Sequence, residues 1–147
     1  MGWHQVNFDI NPLKITNIEK GHIIQSLFNS DALIDLSKKE FLKRISLLID
    51  FSLDLKRQDG LDHAIVNLES LLEQDLTDYE KAEGHYFLAN AYSNQRILKI
   101  TKADVLSKWE YPEIEKEILH FRLSLKYIQS VMNKSASKYK KTKEEAF

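Results

Sequence analysis

Cysteine is absent from this chain, and among its 147 residues glycine occurs 4 times and proline twice. Without cysteine there is no disulfide, no thiolate-bound zinc or iron–sulfur centre and no cysteine nucleophile. Glycine and proline stand well below their usual ~7% and ~5%. A sheet-rich domain needs turn residues about every ten positions, and they are missing. No glycine-rich loop with dinucleotide or Walker spacing occurs either, so phosphate cradles of those kinds are excluded. No apolar run approaches the ~18 residues of a membrane span. The opening MGWHQVNFDINPL has neither the basic start nor the apolar stretch of a signal peptide. Position 6 is Val6, where a myristoylation signal carries Ser or Thr. A cytoplasmic protein with no membrane contact is the expectation. Charge of one sign is also lacking, for the formal net charge is −1. That balance hides an acidic first part, with 9 Lys/Arg against 15 Asp/Glu in residues 1–95, and a basic end, with 12 against 7 in residues 96–147. Such asymmetry reads as solvated faces, or as contact between unlike halves of neighbouring molecules or with an acidic partner.

What is present is helical periodicity. Residues 1–14 alone lack it: Val6, Phe8 and Ile10 alternate with polar residues, which predicts an extended arm that ends near Pro12. A capping helix is expected over 16–29, with Ile15, Ile18, Ile24, Leu27 and Phe28 as its stripe. Ser37 followed by Glu40 is a capping box that opens a second helix at about Lys38, running to Arg57 and apolar around nearly its whole girth, hence buried. Asp59-Gly60 would turn the chain into a third helix, to about Asp75, with Ala64, Ile65, Leu68, Leu71 and Leu72 on one face. Thr77 with Glu80 is a second capping box and opens a fourth helix to about Lys99. Residues 100–111 read as a connector with a short helix at Lys102 to Lys108. Pro112 suits the first turn of a fifth helix to about Asn133. Its Ile114, Ile118, Phe121, Leu125, Ile128 and Met132 recur at 4, 3, 4, 3, 4, a one-sided seam. The Lys-rich tail, 134–147, is either the solvated end of that helix or disordered.

Two helix pairs superimpose on each other. Leu48-x-x-Phe51-Ser52-x-x-Leu55 aligns with His85-x-x-Leu88-Ala89-x-x-Tyr92 at a shift of 37 residues. A small residue beside large ones lets a partner helix approach closely. On these stretches, with GLDHAIVNLESLL (60–72) and AEGHYFLANAYSNQ (82–95), the chain resembles tetratricopeptide (TPR) repeat proteins over roughly residues 45–133. The resemblance implies an all-α fold of about five helices. Antiparallel pairs, 38–75 and 78–133, would stack as a short right-handed superhelix, with an insertion at 100–111. The second pair departs from the family pattern, because Glu117 falls where a small residue belongs.

The resemblance further implies a binding module without catalytic residues, metal or small-molecule cofactor, taking a protein or peptide partner in a groove. By analogy the groove is lined by Ile49, Leu53, Lys56 and Arg57 from the first pair. The second pair contributes Glu83, Tyr86, Asn90, Ser93 and Asn94. Asn90 matches the asparagine that holds a peptide backbone in some members of the family. Tyr86 replaces the lysine of the carboxylate-clamp type, which speaks against recognition of a C-terminal carboxylate. About three repeats are usually needed for a stable stack. A short one therefore calls for a cap from the arm and first helix, a second copy in a homo-oligomer, or a longer chain.

Other constellations are weaker. Arg57-x5-His63 fits the loose spacing of HEPN-type ribonucleases, giving an alternative as a metal-independent RNase, but Gly60 interrupts a segment that family keeps helical. Glu117-x-x-His120 is half of a di-iron motif and has no second half, so a solvated helix face is expected. His85, on a packed helix, is expected to make a core or groove hydrogen bond. Nucleic acid is not an expected partner, because the basic tail is diluted by Glu144 and Glu145 and the pI is about 6.5. A third reading is a purely structural oligomerisation unit.

Overall fold

The computed structural model describes residues 14–28, 37–102 and 111–145, and in them the chain forms five helices and no strand. The expected extended arm (1–14), apart from Lys14, and residues 103–110 of the connector expected at 100–111 lie outside the described residues; residues 100–102 are helical, so the fourth helix runs three residues past its expected end near Lys99 and takes in Lys102, where the short helix was expected to start.

Helix α1 (Asn17–Leu27) begins where Thr16 accepts a hydrogen bond from the Glu19 amide, 3.2 Å. It buries Ile23, Ile24 and Leu27. Ile18, assigned to the stripe by its spacing, instead faces solvent at 75% exposure. Helix α2 (Lys38–Asp54) is capped by Ser37, whose hydroxyl accepts from the Glu40 amide. Its Leu42, Ile45, Leu47, Leu48, Ile49, Phe51 and Ser52 are buried around the girth, as expected of a central helix. It packs on α1, on α3 (Gln58–Leu72) and on α4 (Asp78–Lys102).

The α2–α3 connection falls earlier than Asp59-Gly60 suggested. Arg57 N–H donates to Ser52 C=O at 2.7 Å and Lys56 N–H to Leu53 C=O at 3.1 Å. This is the paired closure of a Schellman end, with Lys56 at φ 55 where glycine is usual. Gly60 is thereby released for packing. It lies in the first turn of α3, buried against Ser52. Thr77 and Glu80 complete a capping box in both directions at the start of α4, at 2.9 and 3.2 Å.

Cross-links set the directions. Lys20 at the start of α1 pairs with Asp54 at the end of α2, 2.9 Å. Gln95 donates to Asp62 at 2.6 Å and Tyr92 to Glu69 at 3.0 Å, so α3 and α4 run antiparallel. Lys38, at the start of α2, donates to the Asp75 carbonyl and pairs with Glu80, which sets the first turns of α2 and α4 side by side. Helix α5 (Pro112–Glu145) runs antiparallel to α4, from Glu113 beside Lys99 to Lys134 beside Asp78, and continues past it through the Lys-rich segment. No described helix is long and apolar enough to cross a membrane.

Candidate functional site

Helix α5 meets α4 through polar side chains. Glu113 pairs with Lys99, and Glu117 accepts from Arg96 at 3.1 and 3.4 Å. Ser124 donates to the Ala82 carbonyl at 2.7 Å, while Ser130 and Lys134 both donate to Asp78, at 2.7 and 2.8 Å. These two donors hold the Asp78 carboxyl below its ordinary range. Between the polar ends stands a ladder of four rings. Tyr127 lies parallel to His85 (5.8 Å between centroids, 5°), His85 edge to edge and nearly coplanar with His120 (5.2 Å, 18°), and His120 parallel to Tyr92 (5.9 Å, 11°). Lys81 caps the Tyr127 end at 5.3 Å and Lys116 the Tyr92 end at 5.2 Å. The two histidines share a hydrogen bond between their Nδ1 atoms, 2.9 Å, so one ring donates and the other accepts.

Burial, the charge of His120 and the nearby Lys81 together lower His85 to about 4. Burial also lowers His120, against the pull of Glu69. Burial and the bond to Glu69 push the Tyr92 phenol up to about 12. At neutral pH His85, His120 and Tyr92 are thus uncharged, and their row of rings holds α5 to α4. His85 takes up the hydrogen bond its place on a packed helix suggested. Glu117 and His120 do not lie on a solvated face: one neutralises Arg96 and the other enters the ladder. Spacing carried a signal for it, because His85/Tyr92 and His120/Tyr127 are both seven residues apart, on one face of each helix. Antiparallel crossing then sets the histidine of each helix against the other's tyrosine.

The open side of α4 carries a row at 4, 3, 4, 3, 4 spacing: Tyr79, Glu83, Tyr86, Asn90, Ser93 and Ile97. Tyr79, Tyr86 and Ile97 are exposed and the others half-buried. The groove residues Glu83, Tyr86, Asn90 and Ser93 therefore share this face. Glu83 and Tyr86 line a 380 Å³ pocket with Tyr79, Ala82, Phe87, Ser124 and Ile128. A second pocket of 400 Å³ adjoins it at the first turns of α2, lined by Lys38, Lys39, Leu42, Tyr79, Glu80 and Glu83. Tyr79 and Glu83 belong to both, and the hydrogen bond of the phenol to Glu83 raises the Tyr79 pKa.

The remaining groove residues lie elsewhere. Asn94 is turned inward and buried. Ile49 is wholly buried in the core and Leu53 half-buried. Lys56 and Arg57 sit at the far end of α2 from the pockets. There the Arg57 guanidinium donates to both Asp59 oxygens, at 2.7 and 3.1 Å, and lies 5.2 Å above the Phe28 ring. His63 meets the edge of the same ring and donates from Nε2 to the Leu27 carbonyl, 3.1 Å. Arg57 and His63 thus clasp Phe28 and tie the end of α1 to α3, which is a packing role.

Among the described residues, no group of three His, Asp or Glu side chains is arranged to hold a metal ion. No family model, curated protein or solved structure matches the chain.

Proposed function

We propose that the chain is a protein-interaction module of TPR-like type, and that the α4 row with its two adjoining pockets receives a peptide segment of a partner protein. The observation that carries this reading is the exposed pair Tyr79 and Tyr86, one turn either side of Glu83: Tyr79 lines both pockets and Tyr86 the one that Ser124 and Ile128 close. Exposed tyrosines beside apolar concavities are typical anchors of protein interfaces, because they bury large area at little cost in rotamer freedom. The arrangement of helices supports the TPR-like part. Helices α3 and α4, and α4 and α5, run antiparallel, and the first turns of α2 and α4 sit side by side on one face. The pocket walls suit apolar side chains at Phe87 and Ile128. Asn90, further along the row, can hydrogen-bond the backbone of an extended segment.

The test is affinity capture on immobilised wild-type chain and on a Tyr79→Ala, Tyr86→Ala, Asn90→Ala variant with matched circular dichroism. A protein held by the wild type and lost by the variant is the expected result. An identical set on both surfaces overturns the reading.

A further inference from the structure

Helix α5 is held differently from the other four. Among the described residues, every buried apolar side chain belongs to α1–α4 or to the turn before α4, and none to α5. The one buried α5 side chain among them is Glu113. The helix packs on α4. Its hold there is the Lys99 and Arg96 ion pairs, the Ser124 and Asp78 hydrogen bonds and the row of rings. Segments with few buried apolar contacts are the ones that open first. The core left behind is complete, because Leu88, Ala91, Tyr92 and Leu98 of α4 stay with α1–α3. At the centre of the contact, the 2.9 Å bond between the His85 and His120 Nδ1 atoms needs one bare nitrogen. A first proton fits on the far nitrogen of the donating ring. A second removes the acceptor and leaves two donors and two cationic rings face to face.

We infer that α5 is an acid-released helix: protonation of the His85–His120 pair frees it from α4 as a unit while α1–α4 stay folded. The charged and titratable neighbours of the pair come from all three helices around it. They are Lys81 and Tyr92 of α4, Lys116, Lys126 and Tyr127 of α5, and Glu69 of α3, which is bonded to the Tyr92 phenol. Glu113 acts on the same phenol, and Glu117, one turn before His120, is already paired with Arg96. The lysines oppose further positive charge. Glu69 favours it at His120, but burial prevails at both rings, and both are lowered. Once α5 is released, the rings face water and return toward the ordinary 6.5. Release therefore takes up protons. It is suppressed above pH 6.5 and favoured as the pH falls below it. Between pH 7.5 and 5 the fraction released is expected to rise ~30-fold if one ring drives it and ~900-fold if both do. Asp78 and Glu113 remain ionised over that interval. Lys134 and Ser130 hold the first low, and at the second burial works upward but the Lys99 bond overcomes it. Release takes Ser124 and Ile128 out of the wall of the 380 Å³ pocket. It depends on the α4–α5 contact alone, whatever occupies that pocket.

The test is amide hydrogen exchange of the full chain at pH 7.5 and 5, corrected for the intrinsic pH dependence of exchange, in steps of urea below the unfolding transition. Amides of α5 over 116–130 are expected to be less protected than those of α2 over 45–51. They should also respond less to urea, because release exposes less surface than unfolding. Protection of α5 is expected to fall at least ~30-fold from pH 7.5 to 5. In a His85→Gln, His120→Gln chain with wild-type helical content, it should stay nearly constant over the same interval. Equal protection and equal urea response in α5 and α2 overturn the inference, for α5 then leaves only when the whole chain unfolds. So does α5 protection that does not fall in the wild type, or that falls as much in the double variant. The urea and pH readings on the wild type decide without the variant.

Discussion

Gly60 of α3 lies so close against Ser52 of α2 that a Cβ built on it would stand 1.9 Å from the Ser52 hydroxyl oxygen and 2.9 Å from its Cβ. Both residues are buried, and the hydroxyl has no hydrogen-bond partner among the described residues. Small size on both sides fixes how near α2 and α3 come.

Gly60→Ala is therefore expected to destabilise the fold by about 1–3 kcal/mol, because overpacking at a helix crossing moves backbone. Ser52→Ala should do the opposite of a usual core truncation. It removes an unpaired buried hydroxyl, so stability is expected to hold or rise by up to about 1 kcal/mol. Urea denaturation of both variants decides. A Gly60→Ala chain as stable as the wild type would show that the contact is slack.

Lys56 offers a second check. Its φ of 55 is the left-handed conformation that a Schellman end requires, and a side chain there costs about 1 kcal/mol. Lys56→Gly is expected to raise the urea midpoint, with the net gain below about 1 kcal/mol because glycine also loosens the unfolded chain. A lowered midpoint would mean that the lysine side chain contributes more to the folded state than its backbone costs.

These two positions show why the α2–α3 boundary was misplaced by sequence reasoning. Glycine ordinarily marks the turn, so Asp59-Gly60 reads as one. Here the turn residue is Lys56, and the glycine serves the helix crossing instead. The capping residues Ser37 and Thr77 were legible because their signal is local: a side chain bonds an amide three residues on. The all-helical class, the buried character of α2 and the apolar face of α3 were legible for the same reason, since each depends on spacing within one segment. The partner of each face was not. Spacing located the one-sided α5 seam, yet the row one position earlier is what meets α4. What decides between them is the matching polar groups on α4, Asp78, His85, Arg96 and Lys99, which lie far off in sequence and carry no mark of what they will meet. On the groove side, Glu83, Tyr86, Asn90 and Ser93 share a face because helical spacing requires it. Lys56, Arg57 and Asn94 depart from it through the Schellman turn and through burial.

Arg96 and Glu117 test how much the polar seam holds. Both are mostly shielded from solvent and joined by two hydrogen bonds. Arg96→Leu alone should cost about 1–2 kcal/mol, because it leaves the carboxylate half-buried without its partner. Adding Glu117→Leu should restore much of that loss by making the contact apolar. A double-mutant cycle on urea midpoints reads the coupling. Strictly additive effects would assign the hold on α5 to the ring ladder and the Asp78 contacts.

The ring ladder predicts acid sensitivity in a defined window. His85 falls to about 4 in the folded chain, against an ordinary value of 6.5, and His120 is also lowered. Between those limits the unfolded chain binds more protons than the folded one, so stability rises with pH. It is full above about 6.5 and declines as the pH drops toward 4. The structural cause is specific: once both rings are protonated, both Nδ1 atoms are donors, and positive charge sits in a row of rings already capped by Lys81 and Lys116. Thermal melts of the wild type are expected to show a falling Tm from pH 7 to pH 5, above the range in which ordinary carboxylates titrate. A His85→Gln, His120→Gln chain loses both titrating groups and should melt at nearly the same temperature across that interval. If the two chains lose stability in parallel between pH 7 and 5, the acid sensitivity lies in groups outside the ladder, and the neutral pair between α4 and α5 is not what acid breaks.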